Sequence, residues 1–169
     1  MQISERLTLP MTPSEVAAMY ADPAYAAIRG TTLGARETHA EATEEEGGSL
    51  TVRTTLAMPT PDRLPDLVAK VVGGEITADE TQAWSAPDAD GARTGTMELT
   101  IRGVSAGLSA RLTLAPDGDS QAVVTIEGDV SAKIPLIGKK LEKTALPYIS
   151  RVLRAEERSA QAYLERSAA

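Results

Sequence analysis

Two carboxylates stand out by their phase. Glu5 falls between Ile3 and Leu7, and Glu80 shares parity with Ile76, Ala78 and Trp84; along a strand, residues two apart line one face. A carboxylate on the covered face of a sheet is costly unless it is paired or wetted. There it either anchors a ligand by hydrogen bonding or serves as a general acid of raised pKa. The plain alternative is a strand end, a bulge or a pocket mouth reached by water. Gln82, on the parity of Glu80, is a second candidate anchor. Tyr148 follows Pro147 in a helical stretch and either offers its phenol to a ligand or packs with its hydroxyl on a backbone carbonyl. Trp84 reads as a core plug or a stacking platform. Met58 and Met97 read as ordinary core or as the lining of an adaptable apolar pocket.

Other chemistries have little to work with. The chain of 169 residues has no Cys and one His, which leaves no thiolate nucleophile, no disulfide and no multi-His metal site. His39 shares parity with Glu37 and Glu41 and is expected to face solvent; no Ser–His–acid set follows from spacing. Asp88 and Asp90, like Asp117 and Asp119, read as turn residues, because neither pair continues to the bidentate Glu of a calcium loop. No catalytic set, metal or cofactor is assigned. A net charge of −7 and a pI near 4.8 disfavour nucleic acid. The longest apolar run, Val16 to Ala21, is far short of the ~20 residues that span a bilayer. With no basic n-region or apolar h-region at the start, a cytoplasmic location is expected.

The elements that must position these residues follow from periodicity. Gln2–Leu9 alternates as a half-buried strand. Thr12-Pro13-Ser14-Glu15 has the form of a capping box and opens a short helix to about Tyr20; Pro23–Arg29 reads as a second, ended by Gly30. Alternating strands then run through Leu50–Met58, Met97–Ile101, Ala106–Leu114 and Val124–Ser131, with Thr32–Ala42 and Ile76–Ser85 as weaker ones. Asp62–Val72 has helical spacing and is expected to pack on the sheet rim or to act as the lid Leu64–Val72 over a cavity mouth. Gly138–Ser167 reads as one long helix with a kink expected at Pro147. Charge divides unevenly: residues 1–134 hold 10 basic and 20 acidic side chains, residues 135–169 hold 7 basic and 4 acidic.

The whole reads as one α+β domain over residues 1–169, an antiparallel sheet of about six to seven strands curved around the last helix. One helix is ~10 Å across and does not fill such a concavity. Large aromatics would help, yet Phe is absent and the chain has one Trp and four Tyr. Either small side chains let the helix sit close, or an apolar cavity remains.

This element order resembles the START-like, or Bet v 1-like, helix-grip superfamily. Trp84 at its strand end and Lys133-Ile134-Pro135-Leu136-Ile137-Gly138-Lys139-Lys140-Leu141-Glu142 entering the final helix look most like the DUF2505 group of actinobacterial proteins. The resemblance implies a hydrophobic ligand held between sheet and helix; some members of the superfamily are enzymes, and the DUF2505 group has no assigned activity. The expectation is therefore non-covalent binding of a small hydrophobic or amphipathic molecule by Met58, Met97, Trp84, Ile149 and Val152, oriented by Glu80, Gln82 and Tyr148. Two alternatives stay open. One is a cyclase or dehydratase that uses Glu5 or Glu80; the other is an interaction domain whose basic helix face, with Lys139, Lys140 and Lys143, docks an acidic partner or a membrane surface.

Overall fold

The computed structural model describes residues 1–168. Strand β1 (Gln2–Leu9) is followed by α1 (Pro13–Ala21) and α2 (Pro23–Leu33), then β2 (Glu37–Glu44) and β3 (Leu50–Pro59). After α3 (Asp66–Val72) come β4 (Glu75–Trp84), β5 (Arg93–Ile101), β6 (Ala106–Asp117) and β7 (Gln121–Ala132); α4 (Gly138–Ala168) completes the fold. The strands form one antiparallel sheet in the order β1-β7-β6-β5-β4-β3-β2. The helix-grip expectation and its seven-stranded upper bound hold. Strict alternation of exposed and buried residues in β1 and along β6 marks one covered face.

Local chemistry sets the joints. Thr12 Oγ1 accepts the Glu15 N–H at 3.4 Å and the Glu15 carboxylate accepts the Thr12 N–H at 2.7 Å, a reciprocal cap at the start of α1. Asp22 ends α1 and caps α2, accepting the Ala24 N–H at 2.9 Å. Its other oxygen accepts the Tyr163 hydroxyl at 2.8 Å, which ties the end of α4 to this joint. The second helix runs past Gly30 and ends at Gly34, whose φ of 68° is the left-handed conformation of a helix stop. Gly30 serves another purpose: a Cβ there would come within 2.0 Å of Thr38 Oγ1, so the missing side chain lets α2 lie against β2. Pro65 holds an extended φ/ψ and delays α3 to Asp66, later than the apolar spacing of Asp62–Val72 predicts. Pro147 lies within α4, and the helix is continuous through it.

Helix α4 crosses the concave face and packs on α2, β1 and β7. The main core gathers Leu7, Leu9, Met19, Trp84, Met97, Leu112, Ile126 and Leu153; a smaller cluster of Val68, Ala132 and Leu141 lies at the start of α4.

Candidate functional site

The interior under α4 has two unlike halves. Beneath the first half is a cavity of about 150 Å³. Its floor is Met58 of β3, Ile76 and Ala78 of β4, Leu99 and Ile101 of β5 and Val130 of β7; its roof is Leu141, Ala145, Tyr148, Ile149 and Val152 of α4, with Val68 and Val72 of α3 at the side. Nearly all of this surface is carbon. The carboxylate at its rim, Glu142, accepts the Ala132 N–H at 2.9 Å. Pro61 and Leu64, in the segment before α3, complete that side. Two hydrogen bonds close that excursion at its neck, Thr60 N–H to Gly74 O at 3.3 Å and Thr60 Oγ1 to Gly73 O at 2.6 Å. Tyr148 donates its hydroxyl to Arg63 O at 3.4 Å, which links α4 to this segment.

Beneath the second half of α4 the interior is polar, aromatic and nearly solid. Arg29 of α2 grips Glu80 with two hydrogen bonds, 2.9 and 2.8 Å, both side chains being almost wholly buried. Gln82 donates to the same carboxylate at 2.8 Å and accepts the Trp84 indole N–H at 3.1 Å. Tyr20 stacks on Trp84 with ring centroids 5.9 Å apart and donates its hydroxyl to Glu156. Tyr25 meets Tyr20 on one side and the edge of Tyr163 on the other. A Cβ on Gly95 would lie 2.5 Å from Ala83 O and 3.1 Å from the Trp84 ring, so this glycine lets β5 pass close to both the β4 backbone and the indole. The void left among Tyr25, Arg29, Thr54 and Glu80 is about 20 Å³, room for about one water molecule.

Electrostatics divide the two buried carboxylates. Burial works to raise both. At Glu80 the Arg29 guanidinium and its hydrogen bonds prevail and hold the carboxyl below its ordinary range. At Glu156 burial prevails over the more distant pull of Arg29 and the Tyr20 hydrogen bond, and the carboxyl is pushed up to about 7. The Tyr20 and Tyr25 phenols are raised by burial first and by Glu156 second. Tyr25 Oη and Arg29 Nε are buried with no hydrogen-bond partner among the described residues.

The eight residues expected to bind a ligand separate accordingly. Met58, Tyr148, Ile149 and Val152 line the apolar cavity; Glu80 and Gln82 face the polar half. Trp84 and Met97 line neither void and are core, 3% and 1% exposed. The reason is distance along the strand: Ile76 and Trp84 share a face of β4, yet at the usual rise they are about 26 Å apart. Glu5 is buried but lies off the cavity, bonded to Ser150 and to Arg154 Nε at 2.9 Å. Both carboxylates of the cyclase alternative thus lie outside the apolar cavity's lining. His39 is 74% exposed beside Glu41, and Asp88 closes its own turn by accepting the Asp90 and Ala92 N–H groups. Among the described residues no three His, Asp or Glu side chains converge as metal ligands.

Two residues that spacing arguments pass over are central here. Arg29 is a lone cation in the apolar stretch Ala26-Ala27-Ile28, and Glu156 lies in helical phase with Val152, Ser159 and Tyr163. Each is a charge on an otherwise buried helix face, the signal that could have found them.

The family described as Protein of unknown function (DUF2505) matches residues 4–164. No curated protein matches significantly. Among solved structures, a START superfamily protein from Mycobacterium smegmatis superposes with a TM-score of 0.56 at 14% identity, over 96% of this chain and 98% of that one. The Zhui aromatase/cyclase from Streptomyces sp. R1128 gives 0.59 at 17%, over 100% and 96%. Human STARD10 gives 0.60 at 13%, over 97% of this chain and 64% of its own. Identities this low speak for the fold alone. Strand order, gripping helix and the matched span agree, and the chain belongs to the DUF2505 family, built on the START-type helix-grip fold.

Proposed function

We propose that the protein binds a small apolar or amphipathic molecule, without covalent chemistry, in the cavity between the sheet and the first half of α4. The observation that carries this reading is the cavity's size and lining: about 150 Å³ bounded almost wholly by aliphatic carbon. A space of this kind offers water no partners and favours an apolar guest; a comparable engineered cavity stays dry and takes up benzene. Burial then supplies affinity at about 25 cal/mol per Å² of apolar surface removed from water. Met58, Ile149 and Val152 provide that surface, and Tyr148 in the roof presents a phenol to an amphipathic guest. A larger guest requires α3 to move. The neck at Thr60 and Gly73-Gly74 and the long Tyr148–Arg63 hydrogen bond suit α3, with the segment before it, to act as the gate. Glu80 and Gln82 act in this reading as structural partners of Arg29 rather than as ligand anchors.

Toluene is a suitable first probe. It should raise the melting temperature of the wild-type protein in a saturable way, and Val152→Trp, which fills the cavity from its roof, should keep the fold and lose the response. An equal response from both proteins would place the binding elsewhere and defeat the reading.

A further inference from the structure

The segment Ile134-Pro135-Leu136-Ile137 joins β7 to α4 in a turn closed by the Gly138 N–H on Ile134 O at 2.9 Å. At its tip Leu136 has a φ of 71°, the one positive φ outside glycine among the described residues. That conformation suits Gly or Asn and strains a leucine. The side chain is also wholly exposed, at 105% of its reference area. The fold thus gains nothing visible from a leucine at this position, in either backbone or burial.

The charge around it is as particular. All five lysines of the chain lie on this β7–α4 junction or on α3: Lys133, Lys139, Lys140 and Lys143 flank Leu136, and Lys70 is on α3. All five are exposed, on a protein whose net charge is −7. The two elements meet, since Val68 of α3 packs with Ala132 and Leu141, and Ile134 packs against that cluster. Leu67 of α3 adds a second leucine, 45% exposed. Of the carboxylates on these elements, Glu142 is engaged by the Ala132 N–H and the terminal ammonium, and Asp62 and Asp66 are exposed at the α3 side.

We propose that this end of the molecule docks on an anionic lipid bilayer, with Leu136 entering the acyl boundary and the surrounding lysines meeting headgroup phosphates. An exposed apolar point in a stretch of chain rich in exposed cations is the chemistry of an interfacial anchor. A bilayer receives a single projecting side chain without a preformed pocket. A protein partner would need a broad complementary face of about 800 Å², and the large apolar side chains exposed at this end are Leu136, Leu67 and Met1, whose ammonium sits beside Glu142. Leu136 and the lysines of the β7–α4 junction do not line the cavity, so docking through them requires no guest.

The test is co-sedimentation with vesicles of equimolar phosphatidylcholine and phosphatidylglycerol, against vesicles of phosphatidylcholine alone. Wild-type protein should pellet with the anionic vesicles only and be released by high salt. Leu136→Asn, which suits the backbone conformation, should keep or raise the melting temperature and weaken partitioning about tenfold or more. Lys139→Gln and Lys140→Gln should each weaken it about fivefold. The proposal is overturned if the wild-type protein stays in the supernatant, if it binds both vesicles equally, or if Leu136→Asn binds unchanged. It is also overturned if Leu136 instead drives self-association in sedimentation velocity without vesicle binding. Any of these leaves the toluene response of the cavity intact.

Discussion

One helix roofs two interiors. Under the first half of α4 the sheet presents aliphatic side chains and a cavity of about 150 Å³ remains; under the second half the space is packed to a void of about 20 Å³. The difference lies in where the chain places its few rings. It has no Phe, one Trp and four Tyr, and Trp84, Tyr20, Tyr25 and Tyr163 all lie in the closed half, leaving Tyr148 to the open one. A helix about 10 Å across leaves a gap over a curved sheet. Rings and an Arg29–Glu80 pair fill that gap at one end, and nothing of comparable volume fills it at the other. The closed half holds the grip together, and the open half remains free to take a guest.

The largest effect should come from breaking the closed half. Arg29→Ala leaves Glu80 as an unpaired buried charge and should cost about 3–5 kcal/mol in urea denaturation. Replacing both partners, Arg29→Met with Glu80→Leu, should recover most of that loss, since an apolar pair of similar volume removes the uncompensated charge. Equal destabilisation of the single and double variants would show that the pair itself, and not the filling of space, closes this half.

Next in size is a dependence on pH. The Glu156 carboxyl has a folded-state pKa of about 7 against 4.5 in the unfolded chain, so the folded protein holds its proton more tightly. The stability this contributes is fully present below 4.5 and is lost as pH rises through 7. The difference is about 3 kcal/mol, and Glu156→Gln should flatten the wild-type decline between those limits. Glu80 has the opposite sign: its lowered pKa contributes stability above its unfolded value, which is lost as the pH falls through the folded one. An unchanged slope between pH 4.5 and 7 in Glu156→Gln would remove Glu156 as the source.

The smallest effect draws the contrast most sharply. Ala145 and Ala160 lie on the same helix; one lines the cavity and the other is fully buried in the closed half. Ala160→Leu should cost about 1–3 kcal/mol by overpacking, whereas Ala145→Leu should fall below that range because its side chain enters open space. Comparable losses at both positions would mean that the two halves are equally full.

Much of this fold was legible from the residues because its signals are local. Alternation places the strands, the Thr12–Glu15 box starts α1, and the helical period of Leu141 to Tyr163 announces α4. Boundaries moved where tertiary contact overrides a local stop, as at Gly30, whose role is close approach to Thr38. The candidate site was legible by face and illegible by position along it. Parity puts Glu80, Gln82 and Trp84 on the covered side, but it says nothing of which end of β4 lies over space. That depends on which side chains α2 and α4 bring across, and Arg29 and Glu156 become partners only once the sheet has curved. The aliphatic residues Met58, Ile149 and Val152 were visible as core; whether core residues bound a cavity is a property of their assembled volume.

If the apolar half holds a guest, the protein should carry it through purification. Native mass spectrometry of the protein purified from its own host, alongside Val152→Trp prepared in the same way, tests it most directly. A small molecule should be retained by the wild-type protein and absent from Val152→Trp. Wild-type protein of bare polypeptide mass, with no thermal response to toluene, would contradict it.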